Sequence, residues 1–208
     1  METYRTVKAA GVAEYVDRRS RFIGEVRPIA DETQAAAFIE ETRKKYWDAR
    51  HHVPAYILRA GGVRRFSDDG EPQGTAGLPT LDVLQKQALV DCAVVVTRYF
   101  GGILLGGGGL VRAYSHTAAL AVEAAGVVEM RPALSQRIVC SYTQYGWLAA
   151  LLESFAATIA DTVYTDAVTL TFCIDAEKAE RFAAALTDRS AGTLIAETLG
   201  EEYRAVAL

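Results

Sequence analysis

Cys92-Ala93-Val94-Val95-Val96-Thr97-Arg98-Tyr99-Phe100-Gly101-Gly102-Ile103-Leu104-Leu105-Gly106-Gly107-Gly108-Gly109-Leu110-Val111-Arg112-Ala113-Tyr114 contains a strand, a loop and the start of a helix in one run. Cys92 to Thr97 is nearly all apolar, as in a strand buried on both faces. The glycines that follow are too dense for a strand or helix interior. Beyond Gly109 an alanine-rich segment runs to Gly126 as a long helix. An earlier stretch, Ser67-Asp68-Asp69-Gly70-Glu71-Pro72-Gln73-Gly74-Thr75-Ala76-Gly77-Leu78-Pro79, also runs into a helix, expected over Thr80 to Leu89. Backbone shaped at two helix N-termini is where proteins hold anions or partner chains.

Around this pair, Val12 to Val16 and Phe22 to Ile29 read as a hairpin. Asp31 opens a helix, with Gln34 three residues on as in a capping box. His52 to Leu58 is a strand, Gly61-Gly62 a turn, and Val63 to Phe66 its return. Together these predict a two-layer α/β domain of roughly 130 residues. In the tail, Gln136 to Tyr142, Thr158 to Tyr164, Ala167 to Ile174 and Thr193 to Arg204 are strand-like. Tyr145 to Ala157 and a segment capped by Asp175 are helical, with Phe182 and Leu186 on a buried stripe. The order βαββαβ is that of a ferredoxin-like sandwich. The fold class is therefore α+β, in two domains, 1–132 and 133–208. The expected boundary is Met130-Arg131-Pro132, because Pro132 discourages strand continuation.

Composition is that of an ordinary globular protein, 50% hydrophobic and 23% charged over 208 residues. No apolar run reaches the ~18 residues that span a bilayer, and Met1 to Ala10 is no secretory signal, so no membrane and a cytoplasmic location are expected. Cys92, Cys140 and Cys173 are widely spaced in apolar runs, which points to small buried hydrophobes rather than disulfides or metal ligands. Residues 1–132 hold 17 Lys+Arg against 16 Asp+Glu, whereas residues 133–208 hold 5 against 10. A polyanion would therefore meet the first part of the chain.

The later glycine stretch, flanked by Arg98 and Arg112, suits phosphate, yet it is neither a Walker A loop nor Gly-x-Gly-x-x-Gly. Arg112, Ser115 and His116 share one helix face. In the earlier stretch the acidic residues could ligate a cation, cap their own loop, or pair with Arg98 or Arg112 across the two loops. The last is preferred, because oxygen-ligand cation sites need more donors. His51 and His52 are adjacent on a strand, so they point to opposite faces and form no metal pair. No metal and no cofactor are expected, and nucleophilic catalysis has thin support, with no Gly-x-Ser-x-Gly and the cysteines in apolar runs that disfavour a thiolate.

On Asp48-Ala49-Arg50-His51-His52, Phe66 to Pro72 with Gly74-Thr75-Ala76-Gly77 and Pro79, and Val95 to Tyr114, the chain resembles the YigZ/IMPACT family. The resemblance covers essentially the whole chain. It implies an N-terminal domain like the second domain of a small-subunit ribosomal protein, and a ferredoxin-like domain like the last domain of elongation factor G. It also implies nucleic-acid or ribosome binding. The eukaryotic relatives compete for an activator of a translational-control kinase through an additional domain absent from these residues, so that role is not carried over. A dipeptidase activity associated with some relatives is discounted, because the histidines and acidic residues of a dimetal peptidase are missing. Where relatives often read His-His-Cys-Trp, this chain has His51-His52-Val53-Pro54, so thiol chemistry is absent there.

The expectation is a non-catalytic, translation-associated protein that binds RNA or the ribosome. Phosphate is expected near Arg98, Gly101, Gly102, Gly106, Gly107, Gly108, Gly109, Arg112 and His116, with Arg64 and Arg65 as further cations. His51, Asp69, Glu71 and Thr75 are expected to brace the loops or line a pocket. One alternative is an enzyme or sensor for a phosphate-bearing small ligand or nucleotide, held between His51, Asp69, Glu71, Arg98 and His116. A second is a protein-interaction module that docks through the acidic C-terminal sheet.

Overall fold

A computed structural model describes all 208 residues. The chain divides into two compact units, Tyr4–Glu129 with Ala207–Leu208, and Met130–Val206 with Met1–Thr3. No helix is long and apolar enough to cross a membrane.

The first unit is built on an antiparallel sheet of order β2(Gly11–Asp17), β3(Ser20–Pro28), β6(Cys92–Tyr99), β4(His51–Ile57) and β5(Arg64–Phe66). The central strand β6 pairs on both sides, with Phe22 and His51 both opposite Arg98. Its side chains alternate between two cores. Val94 and Val96 join Leu84, Leu110, Tyr114 and Ala118 on the face covered by α2(Gly77–Lys86) and α3(Gly107–Ala125). Ala93 and Val95 join Ala35 and Phe38 of α1(Glu32–Lys45) on the other. The α/β expectation holds, with one addition: α1 supplies a third layer, as a strand buried on both faces requires. A short strand, β1(Tyr4–Val7), which the sequence pattern did not suggest, pairs with β7(Val127–Cys140).

Helix starts are set by caps. Asp31 accepts from Gln34 N at 2.8 Å, as expected, but the Gln34 side chain accepts from Ala30 N, one residue before the cap, so only half of the expected capping box forms. By contrast, α2 starts at Gly77 rather than Thr80, and α3 at Gly107 rather than after Gly109. Gly107 to Gly109 thus form a first helical turn and not a loop.

The second unit has the order β7, α4(Tyr142–Ser154), β8(Thr158–Tyr164), β9(Val168–Asp175), α5(Ala176–Ser190), β10(Glu197–Ala207). The sheet runs β10-β7-β9-β8, the strand order of a split βαβ sandwich. Ile138, Leu170, Phe172 and Ile174 pack against Leu148 and Leu152 of α4 and Phe182 and Leu186 of α5. Three local expectations need correcting. β7 runs through Pro132 instead of stopping there; its pairing with β9 begins only at Ala133, so the missing proline N–H breaks none of those bonds. α4 starts at Tyr142, because Ser141 and Gln144 form a capping box. Asp175 stands at the N-cap position of α5 without capping it. Its buried carboxylate instead forms ion pairs, without hydrogen-bond alignment, with Lys178 and Arg204, both at 3.0 Å.

Cys92 and Cys140 are buried and burial raises both thiols, Cys92 to about 12. Cys173 departs from the buried expectation: it is half-buried, and desolvation and the neighbouring Glu202 raise it to about 11.

Candidate functional site

The Ser67–Ala76 loop is organised by Asp68. Its carboxylate accepts from Gly74 N at 2.9 Å, Ala76 N at 3.1 Å and Gly77 N at 2.8 Å. It closes the loop and caps α2 from eight and nine residues upstream. Burial works against ionisation here, but the three N–H donors outweigh it and hold the carboxyl below its ordinary 3.8. A lowered folded value means that the stabilisation is complete above about pH 4 and fades as the pH falls further. Asp68→Ala is therefore expected to cost about 1–2 kcal/mol at neutral pH. In urea titrations the gap to wild type should close below about pH 4. A gap independent of pH would show that the charge is not what holds the loop.

Asp69 ties the same loop to β4 and α1. Its Oδ2 accepts from His52 N at 2.6 Å, its Oδ1 pairs with Arg43 at 3.2 Å, and its carbonyl accepts from His51 Nδ1 at 2.7 Å. His52 faces the other way, with Nε2 2.9 Å from Tyr46 O. The two histidines do diverge, as strand alternation requires.

Glu71 is the centre of the cluster, with a side chain 4% exposed. Its Oε1 accepts from Arg98 Nη1 at 2.6 Å and from the Tyr114 hydroxyl at 2.9 Å, with His51 Nε2 at 3.9 Å. Arg98, 7% exposed, also donates through Nη2 to Ser20 Oγ at 3.4 Å and lies 5.5 Å from both the Phe22 and Phe100 rings. Burial, reinforced by the Glu71 charge, pushes the Tyr114 phenol far up, which keeps it a hydroxyl donor. The two glycine-rich stretches are thus joined by a buried Glu71–Arg98 ion pair.

This cluster floors a cavity of about 360 Å³, which Arg50, Pro72, Phe100, Leu104, Gly106 and Gly107 also line. Gly106, at φ 74°, precedes the first turn of α3, so the cavity opens on a helix N-terminus. Leu105 and Leu110 seal its inner wall, whereas Phe100 and Leu104 are 49% and 79% exposed at its mouth. The arrangement offers donors and positive potential at the mouth, an apolar wall, and acceptors at depth.

Of the residues singled out in the sequence, His51, Glu71, Arg98, Gly106 and Gly107 line this cavity. Asp69 supports it from behind, and Thr75 donates to Pro72 O at 2.6 Å. Gly101 packs against the β2–β3 turn and donates from N to Ser20 Oγ at 3.2 Å. Gly102, Gly108 and Gly109 do not line it.

Arg112 and His116 do not reach it either. They line a separate cavity of about 730 Å³ with Tyr15, Lys86 and Ser115, where His116 meets the Tyr15 ring edge-on. His116 therefore leaves the pocket expected between the loops. Arg64 and Arg65 are exposed on the edge strand β5 and line neither cavity. Arg50, Phe100, Leu104 and Tyr114 were not singled out, although all four lie inside or beside the quoted stretches, whereas Asp68 takes the loop-capping role that was one of the readings of the acidic residues. Nowhere do three or more His, Cys, Asp or Glu side chains converge as a metal would need.

Residues 18–122 match the Impact N-terminal domain, and residues 138–193 match a domain of unknown function, DUF1949. The chain is 42% identical to the IMPACT family member YvyE of Bacillus subtilis over 73% of its own length and 69% of that protein's. It is 37% identical to the family member YigZ of Escherichia coli, over 85% and 88% respectively. A crystal structure described as that of a hypothetical protein is 35% identical and superposes with a TM-score of 0.60, covering 96% of this chain and 98% of that one. With half the chain matched by the Impact domain and relatives aligned across both units, the protein belongs to the IMPACT family.

Proposed function

We propose that this IMPACT-family protein binds RNA, free or within the ribosome, through the cavity at the N-terminus of α3. The observation that carries this reading is the convergence of three features on one opening. Exposed backbone at Gly106 and Gly107 begins a helix, which suits a phosphate. Arg50 adds a cation at the mouth. Phe100 and Leu104 present apolar surface beside it, on which a base can stack. Arg98, first considered a phosphate ligand, is committed to Glu71 and serves by shaping the floor. Arg112 plays no part in this site. The translational setting comes from the family resemblance, which makes ribosomal and transfer RNA the first probes.

The test is a filter-binding titration of the full chain against ribosomal and transfer RNA at several salt concentrations. Affinity is expected to fall steeply with salt. Arg50→Ala should weaken binding and lower the slope of log affinity against log salt by about 1. Absence of binding at low salt, or an Arg50→Ala variant indistinguishable from wild type, would overturn the reading.

A further inference from the structure

On the RNA-binding reading just given, we propose that the cavity takes a ribonucleoside 5′-phosphate unit whose 2′,3′-cis-diol is free. Such a unit is either the 3′-terminal nucleotide of an RNA or a free ribonucleoside monophosphate.

The argument is the order of groups from mouth to floor. Arg50, Gly106 and Gly107 are exposed, whereas Glu71 and Arg98 are buried and His51 lies between. Every side-chain hydrogen bond of Glu71 runs through Oε1, to Arg98 and Tyr114, which leaves Oε2 as an unpartnered acceptor in a nearly buried side chain lining the cavity. His51 Nδ1 faces a carbonyl, which only accepts, so this nitrogen carries the hydrogen. In the neutral ring Nε2 is then the second acceptor, beside Glu71.

Two acceptors at the floor match two hydroxyl donors. A phosphate there would meet the Glu71 carboxylate, and Arg98 beside it already spends Nη1 on Glu71 and Nη2 on Ser20, with only its buried Nε left unpartnered. The mouth has the opposite preference, since the start of α3 and Arg50 favour an anion. A nucleotide with phosphate at one end, an apolar base face in the middle and a cis-diol at the other end satisfies both levels, its base against Phe100 and Leu104. A cavity of about 360 Å³ is at the small end of ligand sites, and Glu71 and Arg98 in its lining are buried. A strand whose last nucleotide reaches Glu71 would end there, and end in hydroxyls.

The test measures binding of the full chain to one fluorescently 5′-labelled oligoribonucleotide by anisotropy, at low salt. Competitors are the same RNA with a 3′-hydroxyl, with a 3′-phosphate, with its terminal diol oxidised by periodate, and in circular form, together with AMP. The 3′-hydroxyl RNA is expected to compete about tenfold or more better than the phosphorylated, oxidised and circular forms, because each of these leaves a buried acceptor unpaired or opposed. Phe100→Ala, at an exposed position, should narrow that preference. Equal competition by all RNAs would overturn end recognition while leaving RNA binding intact. AMP binding, measured directly by isothermal titration, without any RNA binding would support the cis-diol unit and overturn the RNA reading. Binding of neither would overturn both.

Discussion

Replacing Glu71 by alanine is expected to lower the stability of the first unit by about 3–5 kcal/mol, the range for breaking a buried ion pair. The cost is not the strength of the lost contact alone. Arg98 is tethered on the central strand β6, between the Phe22 and Phe100 rings, and cannot reach water without rearranging the sheet. Without Glu71 its charge would stay buried with only Ser20 Oγ, at 3.4 Å, as a remaining partner. Tyr114 would lose its acceptor in the same step, and its phenol cannot compensate by ionising. Arg98→Ala leaves the mirror-image problem, a buried carboxylate facing only Tyr114 and His51. The double variant removes both charges, so its loss should fall short of the sum of the single losses by about 2 kcal/mol. Guanidinium denaturation of the four proteins measures this. Strictly additive losses would mean that the pair does not act as a unit, and that the two loops are held elsewhere.

The pair also shows where the sequence was informative. Acidic residues too few to ligate a cation, facing an arginine at the end of an apolar strand, left internal pairing as the preferred reading, and the structure buries both partners. The same doubly buried strand implied helices on both sides of the sheet, although a two-layer domain was expected; α1 supplies the missing layer. Arg112 was misplaced for a reason visible in helix geometry. Tyr114, which meets Glu71, lies two residues along, about 200° around the helix, so Arg112 has to face away. Leu110, Ala113, Tyr114 and Thr117 set that phase, and they could have been used to exclude Arg112 and His116 from the Glu71 side.

Other features were out of reach because their causes are not local. The start of α2 depends on a carboxylate at Asp68, beyond the span in which capping signals are read. Arg50 becomes a cavity residue only because β4 and β6 align side by side, with His51 opposite Arg98. The βαββαβ order of the second unit was legible throughout because each element carries its own period. Its errors are shifts of a few residues at Ser141 and Pro132, where a capping box and a late pairing register override propensity, and the cap expected of Asp175, whose carboxylate pairs with Lys178 and Arg204 instead.

The glycines of the later stretch answer to different demands, and alanine substitutions should separate them. Gly101 is the costly one. A Cβ there would run into the carbonyl carbon and oxygen of Arg19 and the nitrogen of Ser20, all backbone atoms of the β2–β3 turn. Arg18 and Arg19 already hold positive φ in that turn, so it has little freedom to retreat. Moving it would also carry away Ser20, whose hydroxyl accepts from both Gly101 N and Arg98. Gly101→Ala is therefore expected to cost about 3 kcal/mol or more, at the upper end of overpacking. Gly102 has open space but φ 81°, so alanine should cost about 1 kcal/mol through backbone strain alone. Gly108 has neither restriction and lies in the first turn of α3, where alanine should be neutral or stabilise by up to about 1 kcal/mol. Urea denaturation of the three variants gives the ranking. If Gly101→Ala were no worse than Gly102→Ala, the close approach of the two turns would not be what positions Arg98. If the ranking holds, the stretch divides by function: Gly101 seats the arginine that shapes the floor of the cavity, while Gly106 and Gly107 present the helix start at its mouth.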